Sequence, residues 1–155
     1  MSNRHMQEDM TMNMKVLNSS KMIGYWTTTI IVTIELIAGG VTDLIHGPEL
    51  LFVGDPVATV LAHLGYPVYL LTILGVWKLL GAIALLVPRF PRLKEWAYAG
   101  TFFIYIMAAA SWASCGGGVG NLIGPFVFAM LTLASWALRP PSRILGVILP
   151  AIAHV

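Results

Sequence analysis

The sequence predicts an all-α protein, a four-helix transmembrane bundle with a short extracytoplasmic amphipathic helix. Three observations carry this reading: a composition almost empty of charge, four apolar runs of bilayer length, and lysine and arginine confined to alternate connections. Of 155 residues, 57% are hydrophobic and 10% charged, with a mean hydropathy of +0.80. A soluble domain carries about a quarter charged residues, so this surface suits lipid rather than water. The length fits one domain. A net charge of +2 gives no footing for a nucleic-acid partner. Cys115 is the single cysteine, which excludes an internal disulfide and a multi-cysteine metal site.

Residues 1–20 read as a disordered cytoplasmic tail, polar and rich in methionine (Met1, Met6, Met10, Met12, Met14). Clustered thioethers can bind Cu(I), but tails of this kind seldom order. The membrane domain is expected over 21–139. A helix needs about 20 mostly apolar residues to cross the hydrocarbon core. The first such run is Ile23–Ile45, closed by Gly47 and Pro48; it is too long for a signal-peptide h-region and no cleavage site follows. Asp55 then reads as an N-cap with Pro56 at the first helical position, and Val57, Val60, Leu61 and Leu64 at helical spacing. A short helix on the outer face follows from that pattern; an irregular loop is the alternative. The second run, Val68–Val87, lies between Pro67 and Pro88. The third is Trp96–Ser114, ended by Gly116–Gly118, and the fourth is Asn121–Leu138, ended by Pro140 and Pro141. Residues 140–155 are apolar but too short to span, and read as a tail at the cytoplasmic interface.

Basic residues set the orientation. Arg4, Lys15 and Lys21 precede the first run; Arg89, Arg92 and Lys94 lie between the second and third; Arg139 and Arg143 follow the fourth. The other two connections hold none, and Asp43, Glu49 and Asp55 fall on their side. This bias places both termini in the cytoplasm of a multi-pass protein of the plasma (inner) membrane.

Two ionisable side chains lie near the bilayer midplane. Glu35 is about 18 Å and Lys78 about 13 Å from the same face at 1.5 Å per residue. Neither reaches water readily from there, so a Glu35–Lys78 pair inside the bundle is expected. The alternative is a protonated Glu35 beside an independently hydrated Lys78. Helical spacing puts Gly39, Thr42 and His46 on the face of Glu35, and Gly75, Gly81 and Ala82 on that of Lys78. The third helix presents Tyr98, Thr101, Tyr105, Ala108 and Trp112, and the fourth Asn121, Pro125, Phe128, Thr132 and Ser135. Four such faces would enclose a small cavity opening outward, or simply pack by hydrogen bonds. The pocket candidates are Glu35, Gly39, Thr42, His46, Gly75, Lys78, Tyr105 and Trp112. No metal is expected: His46, His63 and Cys115 match no ligand spacing, and no two histidines share a depth that would suit haem. No nucleophile–histidine–acid set or phosphate loop occurs, so catalytic residues are not assigned.

The stretch His63-Leu64-Gly65-Tyr66-Pro67, with Ile73-Leu74-Gly75-Val76-Trp77-Lys78-Leu79-Leu80-Gly81-Ala82 after it, resembles the DoxX-like membrane protein family. So does Pro88-Arg89-Phe90-Pro91-Arg92-Leu93-Lys94-Glu95-Trp96-Ala97-Tyr98-Ala99-Gly100, and more loosely Lys15 to Leu138. The resemblance implies four helices and a link to redox chemistry, since the family takes its name from a subunit of a thiosulfate:quinone oxidoreductase. The family pattern leads one to expect a polar or acidic residue near Ile104 and a histidine near Trp112; both are replaced here. Three functions follow. One is a redox-linked accessory protein that holds a quinone, with Lys78 donating to its oxygen and Tyr105 or Trp112 stacking. Another is a small-molecule carrier with a protonatable Glu35–Lys78 centre. The third is a non-catalytic assembly partner of another membrane protein. Beyond the lipid bilayer, the expected partners are such a protein or further copies of the chain.

Overall fold

The computed structural model describes residues 2–48, 55–88 and 90–140. Expectations about Glu49, Arg89, Arg143 and the tail after Pro140 lie outside these residues. Within them the chain is all-helical, without strands: α1 (Ser2–Ile45), α2 (Val57–His63), α3 (Tyr69–Leu86), α4 (Pro91–Ser114) and α5 (Val119–Ala137). Three helices are long and apolar enough to cross a membrane: α1 from Gln7, α3 and α5. Their outward residues are those that lipid would cover, among them Ile30, Ile34, Trp77, Ile83 and Phe126.

The polar N-terminal stretch departs from expectation. It continues α1 as helix from Ser2, with residues 7–22 exposed. Gln7, Glu8, Met10, Met12, Met14, Lys15 and Leu17 all have good helix propensity. The stretch is polar and unpacked, but propensity extends the helix beyond its packed part.

Three helix ends share one device. His46 (φ 53°), Gly65 (φ 79°) and Gly116 (φ 69°) take left-handed backbone just past α1, α2 and α4. The following N–H then reaches five residues back: Gly47 to Thr42 O, Tyr66 to Leu61 O, and Gly117 to Trp112 O. This closure satisfies carbonyls that a helix end leaves open. Glycine adopts that conformation without penalty; His46 does so with a side chain.

α2 starts one residue later than the sequence suggests. Pro56 is its N-cap, and no side chain caps it, so Asp55 does not have the capping role. Val57 and Leu61 nevertheless bury against Leu71, fixing α2 across the start of α3. Pro91 opens α4 five residues before Trp96, at the first position, where its missing N–H costs nothing.

α1 packs on α3 and α5, and α4 packs on the same two helices, closing a ring of four. Its interior is held by Val32, Leu36, Ala82, Leu85, Tyr98, Tyr105 and Ala129. The tightest crossing is at two glycines. A Cβ on Gly75 would lie 2.8 Å from Gly40 O, and one on Gly40 would lie 3.1 Å from Gly75 O. Small residues permit such approach between helices in lipid.

Candidate functional site

The α1–α3 crossing brings charge together. Lys78, on α3, places its Nζ 2.9 Å from Asp43 Oδ2, on α1. The two side chains are 14% and 6% exposed, so the pair is largely withdrawn from solvent. The sequence places Asp43 inside the first apolar run, near its end, and gives it no partner; it lies within the last turns of α1, facing α3.

Glu35, the partner expected for Lys78, is two turns deeper on the same helix. Its Oε1 lies 3.0 Å, and Lys78 Nζ 3.1 Å, from where a Cβ on Gly39 would stand. Both heads therefore converge on the space that this glycine leaves. Glu35, Gly39 and Asp43 recur every four residues along one face of α1. The same spacing rule that joined Glu35 to Gly39 would have reached Asp43 one step later.

The other candidates divide by position. Thr42 is buried, with no hydrogen-bond partner for its Oγ1. His46 is exposed at the end of α1, its Nε2 3.5 Å from Thr72 Oγ1. Gly75 forms the close crossing described above and leaves no space for a ligand. Tyr105 is 4% exposed, stacks on Phe128 with ring centres 5.5 Å apart, and has no partner for its hydroxyl. Trp112 lies at the α2 end, 5.7 Å from the His63 ring. A depression of about 230 Å³ at that end is lined by Leu64, Tyr66, Met107, Ala110, Ser111, Ser114 and Cys115, none of them among the eight candidates. Tyr66 OH and Ser111 Oγ, 2.9 Å apart, join its walls.

The opposite end holds a polar cluster that the sequence reading did not anticipate. Lys94, counted there as a loop cation, is 1% exposed. Its ammonium donates to Ala84 O at 3.0 Å and to Leu85 O, carbonyls of the last turn of α3. Arg139 is also buried; it pairs with Glu95 at 2.8 Å and lies over the rings of Tyr98 and Trp136. Trp136 Nε1 donates to the second oxygen of Glu95 at 2.8 Å. Beneath them Ser135 Oγ lies 2.6 Å from Thr29 Oγ1 and 2.8 Å from Tyr98 OH. Tyr98, Thr101 and Tyr105 on α4, and Thr132 and Ser135 on α5, are thus buried as the spacing predicts. Asn121 is exposed instead, because α5 begins two residues before it, outside the packed length.

Among the described residues, no group of three histidine, cysteine or carboxylate side chains is placed to hold a metal ion. A model of the DoxX-like family matches residues 27–135, well over half of the chain. No curated protein and no solved structure matches it.

Proposed function

The chain belongs to the DoxX-like family of membrane proteins, and we propose that it is a redox-linked accessory protein that binds a quinone or similar small molecule at the charged centre between α1 and α3. The observation that supports this is the Lys78–Asp43 pair, 2.9 Å apart and largely buried. Ionisable groups held inside a membrane bundle are costly and tend to be retained for binding or proton transfer. The available donors suit a carbonyl-bearing ligand. Lys78 carries an ammonium, and the buried Tyr105 hydroxyl lacks a protein partner. When bound, a quinone supplies two-electron, two-proton chemistry. Lys78 would donate a hydrogen bond to its oxygen, while Asp43 and Glu35 hold the ammonium in place and exchange protons with it. Trp112 contributes no stacking in this reading, since it is engaged with His63.

The same reading takes α4 as the fourth span. Only four residues separate α3 from α4 and four separate α4 from α5. These short connections, with α4 packed on both α3 and α5, favour a crossing by the continuous 24-residue α4 as well. It carries Arg92, Lys94 and Glu95 at one end, which lowers its apolarity. α2 then lies on the extracytoplasmic face and both termini are cytoplasmic.

The test is purification in mild detergent, mass spectrometry of co-extracted small molecules, and titration with a short-chain quinone. Lys78→Met should reduce quinone affinity at least tenfold. Equal affinity in the variant, or no quinone bound by the unmodified protein, removes this reading. A carrier is the second reading, favoured by His46, which stands exposed one turn beyond Asp43 and gives the centre a route to the α2 face. Co-extraction of a non-quinone compound would favour it.

A further inference from the structure

We propose that the Asp43–Lys78–Glu35 centre carries one exchangeable proton, taken up from the α2 end and passed between the two carboxyls through Lys78. The inference deepens the proposed function and rests on reading this centre as the working site. It starts from a count of charges. Asp43 Oδ2 is 2.9 Å from Lys78 Nζ. Glu35 Oε1 stands beside the same ammonium at the space left by Gly39: the two atoms lie 3.0 and 3.1 Å from a Cβ placed there, and so at most about 6 Å from each other. Two carboxylates and one ammonium leave an excess negative charge in a place with little solvent, where an uncompensated charge is strongly unfavourable. A single proton on one carboxyl removes the excess.

Among the described residues, the helix stretches around this centre carry no lysine or arginine besides Lys78. Along α1 the basic residue next before Glu35 is Lys21, about 21 Å away at 1.5 Å per residue, and just past the helix His46 is exposed beyond Asp43. α3 adds only Lys78. α4 presents the Tyr105 phenol, with its basic residues Arg92 and Lys94 at the far end. α5 has no ionisable side chain within Val119–Ala137. α2 has His63, which is turned to Trp112. The proton therefore resides on Asp43 or Glu35. The two are eight residues apart, about 12 Å along α1, and a lysine between them connects both. In the transfer, the Lys78 ammonium first gives a proton to the Glu35 carboxylate, and the neutral amine so formed, with its lone pair free, takes the proton of the Asp43 carboxyl. One O–H bond breaks and one forms, and Lys78 finishes charged as it began. Asp43, beside exposed His46, exchanges with the α2 face; Glu35 delivers to the interior.

The experiment is infrared spectroscopy of ligand-free protein in lipid nanodiscs at pH 7, with the carboxylic acid carbonyl band assigned by ¹³C-aspartate or ¹³C-glutamate labelling. Exposed carboxyls, with ordinary values near about 4, are ionised at this pH and do not contribute. The unmodified protein should show one protonated carboxyl per chain. Asp43→Asn and Glu35→Gln should each show none, because one carboxylate and one ammonium then balance. Lys78→Met should show two. Helical circular dichroism establishes that each variant is folded, and the unmodified protein tests the proposal even if Lys78→Met does not fold. A band absent from the unmodified protein overturns the proposal, as does one that survives both acid substitutions. A band that emerges only on removal of sodium also overturns it, since the excess charge would then be met by a metal cation. No ligand enters this measurement, so it can fail while quinone binding stands, and the reverse.

Discussion

At the scale of the residue, Lys78 governs the centre because its ammonium pairs with Asp43 and stands beside the Glu35 carboxyl. Removing it should therefore cost more than removing either acid. Lys78→Met takes the cation from buried Asp43 and from beside half-buried Glu35, and breaking a buried pair from one side typically costs about 3–5 kcal/mol. Asp43→Asn leaves Glu35 to balance the ammonium, so its loss should be less than half as large. Unfolding in detergent with increasing denaturant gives the comparison; equal losses would mean that Glu35 does not serve Lys78. Glu35 and Lys78 were legible because each lies mid-run, where charge is conspicuous. Asp43 was not, because near the end of the run a charge is close to water and calls for no partner. Which acid meets an ammonium depends on the rotation and register of two helices, which the Gly40–Gly75 crossing sets.

Elements are held by contacts of two kinds, and each can be tested. The α1–α3 crossing depends on absent side chains. In Gly75→Ala the new methyl would stand 2.8 Å from both Gly40 O and Leu44 Cγ. A backbone oxygen has little room to withdraw, so the helices must part. The expected loss is about 1–3 kcal/mol, the usual range for overpacking, with weaker pairing at Lys78 one turn away. Gly81→Ala is the control: its nearest neighbour would be Thr101 Oγ1 at 3.7 Å, an ordinary contact, and its melting temperature should barely move. Similar losses in both would separate the effect from the crossing. At the other end α3 depends on a side chain that is present. Lys94→Met removes the donor to Ala84 O and Leu85 O. Hydrogen bonds from charged groups contribute about 1.5–3 kcal/mol, so thermal unfolding should come distinctly earlier. An unchanged melting temperature would show that water replaces the ammonium there. Helix existence and approximate ends were legible from bilayer-length runs punctuated by proline and glycine. The buried roles of Lys94 and Arg139 were not, since counting basic residues by loop gives their side of the membrane but not their burial.

For the whole molecule, the decisive question is whether the chain crosses four times. Three helices meet the length and apolarity of a span without qualification; α4 carries the parity. With three crossings the termini would fall on opposite faces. With four they share one, and every basic residue outside the apolar runs lies on that face, which the positive-inside rule identifies as cytoplasmic. Packing supports the even count, because α4 lies along both α3 and α5, and its buried side chains run from Lys94 at one end to Ala109 toward the other. A helix resting on the membrane surface could not share its length with two spans. The prediction is that reporters fused at either terminus read cytoplasmic, while one inserted beside α2 reads external. Cys115 provides an independent probe without any fusion. It is exposed at the α2 end of α4, so a membrane-impermeant maleimide should label it in intact cells. Protection of Cys115 until the cells are opened, together with an external C-terminal reporter, would reverse the orientation. It would then place the outer route to Asp43, through His46, on the cytoplasmic side.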